Sequence, residues 1–195
     1  MNIQPNIETY ITLITLALSL IGSYFILRVD WKRYGLIFII SGIVGNILCY
    51  IFVRIGLYSF PYRLFPTISI MPFYVILTIF PFYVILGIYY SPKPFVWKIP
   101  FYWALIHIGM LFETLAANFT DLIEYNAKWD FWDSYTWWWI FLLVFEWVSI
   151  YIIPDEKRKP LDYDILRYDR TGWFILHFIL IVTIFLGGFY LGKVL

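Results

Sequence analysis

Apolar residues run through this chain in long blocks, and the polar positions gather in short stretches between them. Each block approaches the roughly 20 residues needed to cross the hydrocarbon of a bilayer. Hydropathy and loop chemistry together predict six helical spans, at about residues 8–27, 35–53, 67–90, 101–119, 137–153 and 173–192. The expected fold is therefore all-α: one integral membrane bundle occupying residues 1–195 as a single transmembrane domain.

Composition sharpens that picture. The chain is 62% hydrophobic, 24% aromatic and only 14% charged, with a mean hydropathy of +0.77. Soluble domains are about a quarter charged, so this chain has too few polar residues to coat its own core. A formal charge of +1 gives no electrostatic footprint for nucleic acid. The single cysteine, Cys49, cannot form an internal disulfide or a CxxC redox centre. No Lys or Arg precedes the first apolar run, which reads as a retained span rather than a signal peptide.

Basic residues alternate between successive loops. Segments 28–34, 91–100 and 154–172 hold three, two and five Lys or Arg, ten in all. The N-tail, 54–66, 120–136 and the C-tail hold none, two, one and one, four in all. The positive-inside bias then predicts a multi-pass protein of the cell membrane with both termini outside. Trp129, Trp132 and Trp137–Trp139 near the fifth span, and Tyr89, Tyr90 and Trp97 after the third, fit an interfacial aromatic belt. In segment 154–172, Leu161, Ile165 and Tyr168 recur at helical spacing, which predicts a short helix on the inner leaflet or a solvated connector with anchoring side chains. The stretch "PFYVIL" occurs at 72–77 and again at 81–86, so Pro72 and Pro81 offer two kinks in the third span, or simply mark a duplicated hydrophobic run.

Two acidic residues fall deep inside the spans, away from their edges. In "FLLVFEWVSIY" Glu146 lies almost at the centre of span five, and in "IGMLFETLAANF" Glu113 lies just past the centre of span four. From the rise of a helix the two share nearly one depth, about 6 Å apart vertically. An ionised carboxylate facing lipid costs at least about 2.5–3.5 kcal/mol, so both are expected to face the interior. Each should be protonated, paired or hydrated, and no Lys or Arg lies within the expected spans to neutralise them. Asn46 on span two, His107 on span four and His177 on span six are further candidates for an ion or substrate site with Glu113 and Glu146. The competing reading makes the two acids interhelical hydrogen-bond donors, and each histidine a satisfied packing residue. No His/Cys/carboxylate spacing resembles a metal site, and no phosphate loop or cofactor motif is present. Ser41-x-x-x-Gly45 and Gly188-x-x-x-Gly192 read as helix-contact motifs.

The order of "VDWKRYGLIFIISGIVGNILCY", "YYSPK", a glutamate within the fourth span and "YNAKWDFWDSYTWWW" resembles an uncharacterised family of small polytopic membrane proteins from spore-forming Gram-positive bacteria. The resemblance covers roughly residues 29–160. It implies the multi-span topology and supplies no catalytic residues.

Three functions fit these features. The first is a bundle that binds or moves a proton, cation or small solute at a midplane site near Glu113 and Glu146. The second is an intramembrane enzyme acting on a lipid or isoprenoid. In it a protonated glutamate is the acid, and Phe80, Phe82, Phe112, Phe141 and Phe145 stabilise a carbocation, by analogy with small membrane terpene cyclases. The third is a non-catalytic membrane subunit or immunity protein. The lipid bilayer is the one partner that composition demands; a small-molecule, ion or lipid ligand depends on the acids.

Overall fold

A computed structural model describes residues 5–162 and 170–194. Six long helices make up most of it: α1 (Ile7–Leu27), α2 (Trp31–Arg54), α3 (Phe73–Tyr90), α4 (Phe95–Phe119), α5 (Phe131–Ile152) and α6 (Arg170–Val194). All six are long and apolar enough to cross a bilayer. Two short strands, β1 (Tyr58–Ser59) and β2 (Glu124–Tyr125), pair antiparallel with Tyr58 opposite Tyr125.

Polar residues at the loop boundaries start several helices. The side chains of Asn6 and Asp30 accept from the backbone N–H groups of Thr9 and Arg33, capping α1 and α2. Asp130 and Asp133 form a reciprocal capping box at the start of α5. Beyond α2, Gly56 takes φ +76°, a left-handed conformation that suits glycine and lets the chain turn into β1.

α3 is the hub, packing against α1, α2, α4 and α5, while α6 lies against α4. Tyr34, Ile85, Ile106, Met110, Leu142 and Phe145 meet at the centre. Between helices in lipid, close packing and hydrogen bonds replace the hydrophobic drive. Gly87 shows how: a Cβ there would stand 2.9 Å from the Tyr102 ring, so only glycine lets α3 and α4 approach with Tyr102 between them.

Alternate loops gather at opposite ends. At one end, called here the sheet end, Tyr62 N donates to Asp121 O at 2.7 Å and Asn126 N to Leu57 O at 3.0 Å. Lys193 near the C-terminus donates to Asn118 Oδ1 at this same end. At the other, the basic end, Lys159 N donates to Tyr89 O at 2.8 Å and the Tyr34 hydroxyl to Lys157 O at 3.1 Å.

Several expected boundaries move. The third helix begins at Phe73 with Pro72 at its cap, so the repeated hexapeptide puts one proline, Pro81, inside it rather than two. α4 starts at Phe95 and α5 at Phe131, each about six residues before the expected edge. Ile165 and Tyr168, on which the inner-leaflet helix depended, lie outside the described residues.

Candidate functional site: two separate carboxylate centres

Extending α4 and α5 toward their N-termini changes where their glutamates sit. Glu146 lies about a turn and a half from the end of α5, toward the basic end, rather than at its centre. Glu113 lies in the last two turns of α4, toward the sheet end. Tyr102, which bonds Glu146, and Glu113 are eleven residues apart on α4, about 16 Å of helix rise. The expected meeting of the two acids at one depth does not occur. They belong to two centres.

Glu146 is 6% exposed and bound by four side chains from three parts of the chain. Ser91, just after α3, donates its hydroxyl to Oε1 at 3.2 Å. Lys98, in the first turn of α4, donates its ammonium to the same oxygen. The Tyr102 hydroxyl, one turn further along α4, donates to Oε2 at 2.8 Å. Arg158, from the segment after α5, places Nη1 3.6 Å from Oε1, with its side chain 8% exposed. Its Nη2 donates to Ser149 Oγ at 2.9 Å, and that hydroxyl donates to the Glu146 carbonyl at 2.6 Å.

The expectation that no cation could neutralise the acids therefore fails for Glu146. Lys98 and Arg158 lie in stretches that hydropathy assigns to loops, yet the fold brings both inward. Lys98 and Tyr102 stand at i and i+4, one face of one helix, which is the signal available in the sequence once α4 is extended. Nothing local announces Arg158 or Ser91, because their contacts with Glu146 depend on how the loops fold back.

In front of this cluster lies a cleft of about 260 Å³, lined by Ser91, Pro92, Lys93, Lys98, Ile150, Asp155, Arg158 and Pro160. Three of these residues, Ser91, Lys98 and Arg158, also touch Glu146.

Glu113 is held differently. The Tyr125 hydroxyl donates to its Oε1 at 2.6 Å and the Trp138 indole N–H to its Oε2 at 2.8 Å. Both donors are neutral. Tyr125 comes from β2, whose pairing with Tyr58 of β1 fixes its direction. Burial, reinforced by the Glu113 charge, holds the Tyr125 phenol well above the usual tyrosine range, so it stays a donor. Burial, then the neighbouring Cys49, does the same for Tyr58.

The remaining candidates bond within their own helices, and His107 also bonds across to α6. Asn46 donates to Gly42 O at 2.9 Å on α2, and its Oδ1 is buried with no hydrogen-bond partner among the described residues. His107 bonds Trp103 O through Nδ1 at 2.7 Å, and its Nε2 faces Thr183 Oγ1 of α6 at 3.1 Å. A neutral ring that donates at Nδ1 and accepts at Nε2 satisfies both contacts. His177 bonds Trp173 O and stacks on the Trp173 ring at 3.9 Å, all within α6. None of the three joins the glutamates into the single site expected from sequence.

The mid-span aromatics also sort themselves. Phe80 stacks on Trp138 at 5.0 Å, Phe141 meets Phe80 edge-on at 5.4 Å, and Phe145 follows at 5.0 Å from Phe141. Phe82 packs over Gly22 of α1, whereas Phe112 is 64% exposed on the outer face of α4. These rings fill helix contacts or face outward.

No protein-family model matches the chain, and neither a curated protein nor a solved structure shows significant similarity to it.

Proposed function

We propose that this chain is a multi-pass protein of the cell membrane, with both termini outside, that binds a small solute or lipid in the cleft before Glu146. The basic end then faces the cytoplasm, in keeping with the ten-to-four distribution of Lys and Arg. The observation that carries the reading is the convergence of four side chains from three separate parts of the chain on one buried carboxylate beside an open, charged cleft. Charged groups are costly to bury, and their concentration beside a concavity marks a functional site. Binding fits better than conduction of a proton or cation. The two acids sit at different depths, about 12 Å apart by the rise from Trp138 to Glu146 on α5 and about 16 Å by that from Tyr102 to Glu113 on α4, and the one beside the cleft is already paired with two cations. The aromatic packing gives the carbocation mechanism no support of its own.

A photo-crosslinking amino acid at position 93, on the cleft rim, tests this in native membranes. The expected result is an adduct of metabolite or lipid mass that a crosslinker at position 124, at the sheet end, does not form. A protein-sized adduct at 93 would instead favour a non-catalytic subunit, and identical adducts at both positions would remove the cleft as a site.

A further inference from the structure

The cleft carries more charge information than its shape. Behind it, Lys98 and Arg158 supply two positive charges and Glu146 one negative; on its rim, Lys93 and Asp155 cancel. The sum is one surplus positive charge. Arg158 is more than nine-tenths buried, and its Nε–H has no hydrogen-bond acceptor among the described residues. A buried, charged donor without an acceptor is costly; this nitrogen is enclosed by the protein, so an anion in the cleft would act on the guanidinium charge as a whole and not through this N–H. One negative charge would neutralise the surplus.

The walls point to the source of that anion. Pro92, Pro160 and Ile150 are the apolar part of the lining. Ile150 is 60% exposed and shares the outer face of α5 with Trp147 and Tyr151, whose rings meet at 5.6 Å. That face is where acyl chains lie once the helix spans a bilayer. A ligand seated among Ser91, Lys98 and Arg158 can therefore extend an apolar tail along Ile150 and Trp147 without leaving the membrane.

Resting on the binding reading above, we infer that the ligand is an anionic phospholipid, its monoanionic phosphodiester held by Lys93, Lys98, Ser91 and Arg158. Glu146 then has two tasks. It positions Lys98 and Arg158, and by cancelling one of their charges it tunes the cleft to a monoanion rather than a dianion. This makes an unusual demand: removing the acid should strengthen binding of an anion.

The test uses the purified full-length chain in detergent, titrated with phosphatidylglycerol or phosphatidylcholine and followed by native mass spectrometry. The expected result is retention of one phosphatidylglycerol in preference to phosphatidylcholine, undisturbed by inorganic phosphate. Glu146→Gln should retain phosphatidylglycerol about fivefold more tightly, and Lys93→Gln about fivefold less, the effect of one unit charge near the surface. Equal retention of the two lipids would overturn the inference, as would competition by inorganic phosphate or weaker retention by a folded Glu146→Gln protein. Should Glu146→Gln not fold, Lys93→Gln on its exposed loop decides alone, and unchanged retention there overturns it. A small-molecule adduct at position 93 without lipid preference would reject the phospholipid and keep the cleft reading; absence of both would reject the two together.

Discussion

Glu146 and Glu113 are both glutamates within membrane-spanning helices, but the protein treats them in opposite ways. Glu146 is met by an ammonium and a guanidinium as well as two hydroxyls. Glu113 is met by a phenol and an indole alone. The contrast teaches that what partners a membrane carboxylate depends on which end of its helix it approaches. Near the basic end, loops rich in Lys and Arg can fold inward to balance charge. Near the sheet end, where the loop after α4 is acidic, aromatic donors do the work through hydrogen bonds alone.

The comparison predicts unequal sensitivity. Arg158→Leu should have the largest effect, because it strips one of two cations from a buried acid and leaves Ser149 Oγ without its donor. A loss of about 3–5 kcal/mol is expected for breaking such a buried pair, read as a collapse of the folded fraction in size-exclusion chromatography. Glu146→Gln in the same background should restore part of that loss. Trp138→Phe at the other centre should cost less, about 1.5–3 kcal/mol, for one hydrogen bond to a charged acceptor. Thermal unfolding in detergent measures it, and equal losses at the two centres would erase the distinction between them.

The smallest effect concerns pH at the sheet end. Tyr125 has a raised pKa when folded, so its contribution is complete below the ordinary tyrosine value of about 10 and fades only as pH rises beyond it. Stability should accordingly show no Tyr125-dependent change between about pH 6 and 9. This is checked by comparing the pH profiles of the parent and Tyr125→Phe. A Tyr125-dependent transition inside that window would mean the phenol ionises there, contrary to its buried setting.

The six helices were readable from the sequence because crossing a bilayer imposes a length and an apolar content that few other constraints imitate. The site was less readable, for a physical reason. Hydropathy marks where residues meet hydrocarbon, whereas helices continue through the interface, where Lys98, Phe131 and Asp133 sit. Shifting the edges of α4 and α5 moved Glu113 and Glu146 from one depth to two. The identity of Glu146 as an important interior acid was legible, since a carboxylate among ten uncharged neighbours demands an explanation. Its partners were not, because Ser91 and Arg158 reach it across 55 and 12 positions of chain by loop folding that no local pattern encodes. His107 was legible only as a question; Thr183 on α6 answers it as a packing contact.

The most direct test of the charge-balanced centre is a double-mutant cycle on Lys98 and Glu146, using Lys98→Met, Glu146→Gln and the pair, with unfolding free energy in detergent as the readout. A stabilising coupling of about 1–3 kcal/mol is predicted for Lys98 with Glu146, and none for Lys98 with Glu113, which lies beyond coupling distance. Zero coupling between Lys98 and Glu146, or an equal coupling of Lys98 to Glu113, would contradict the separation of the two centres.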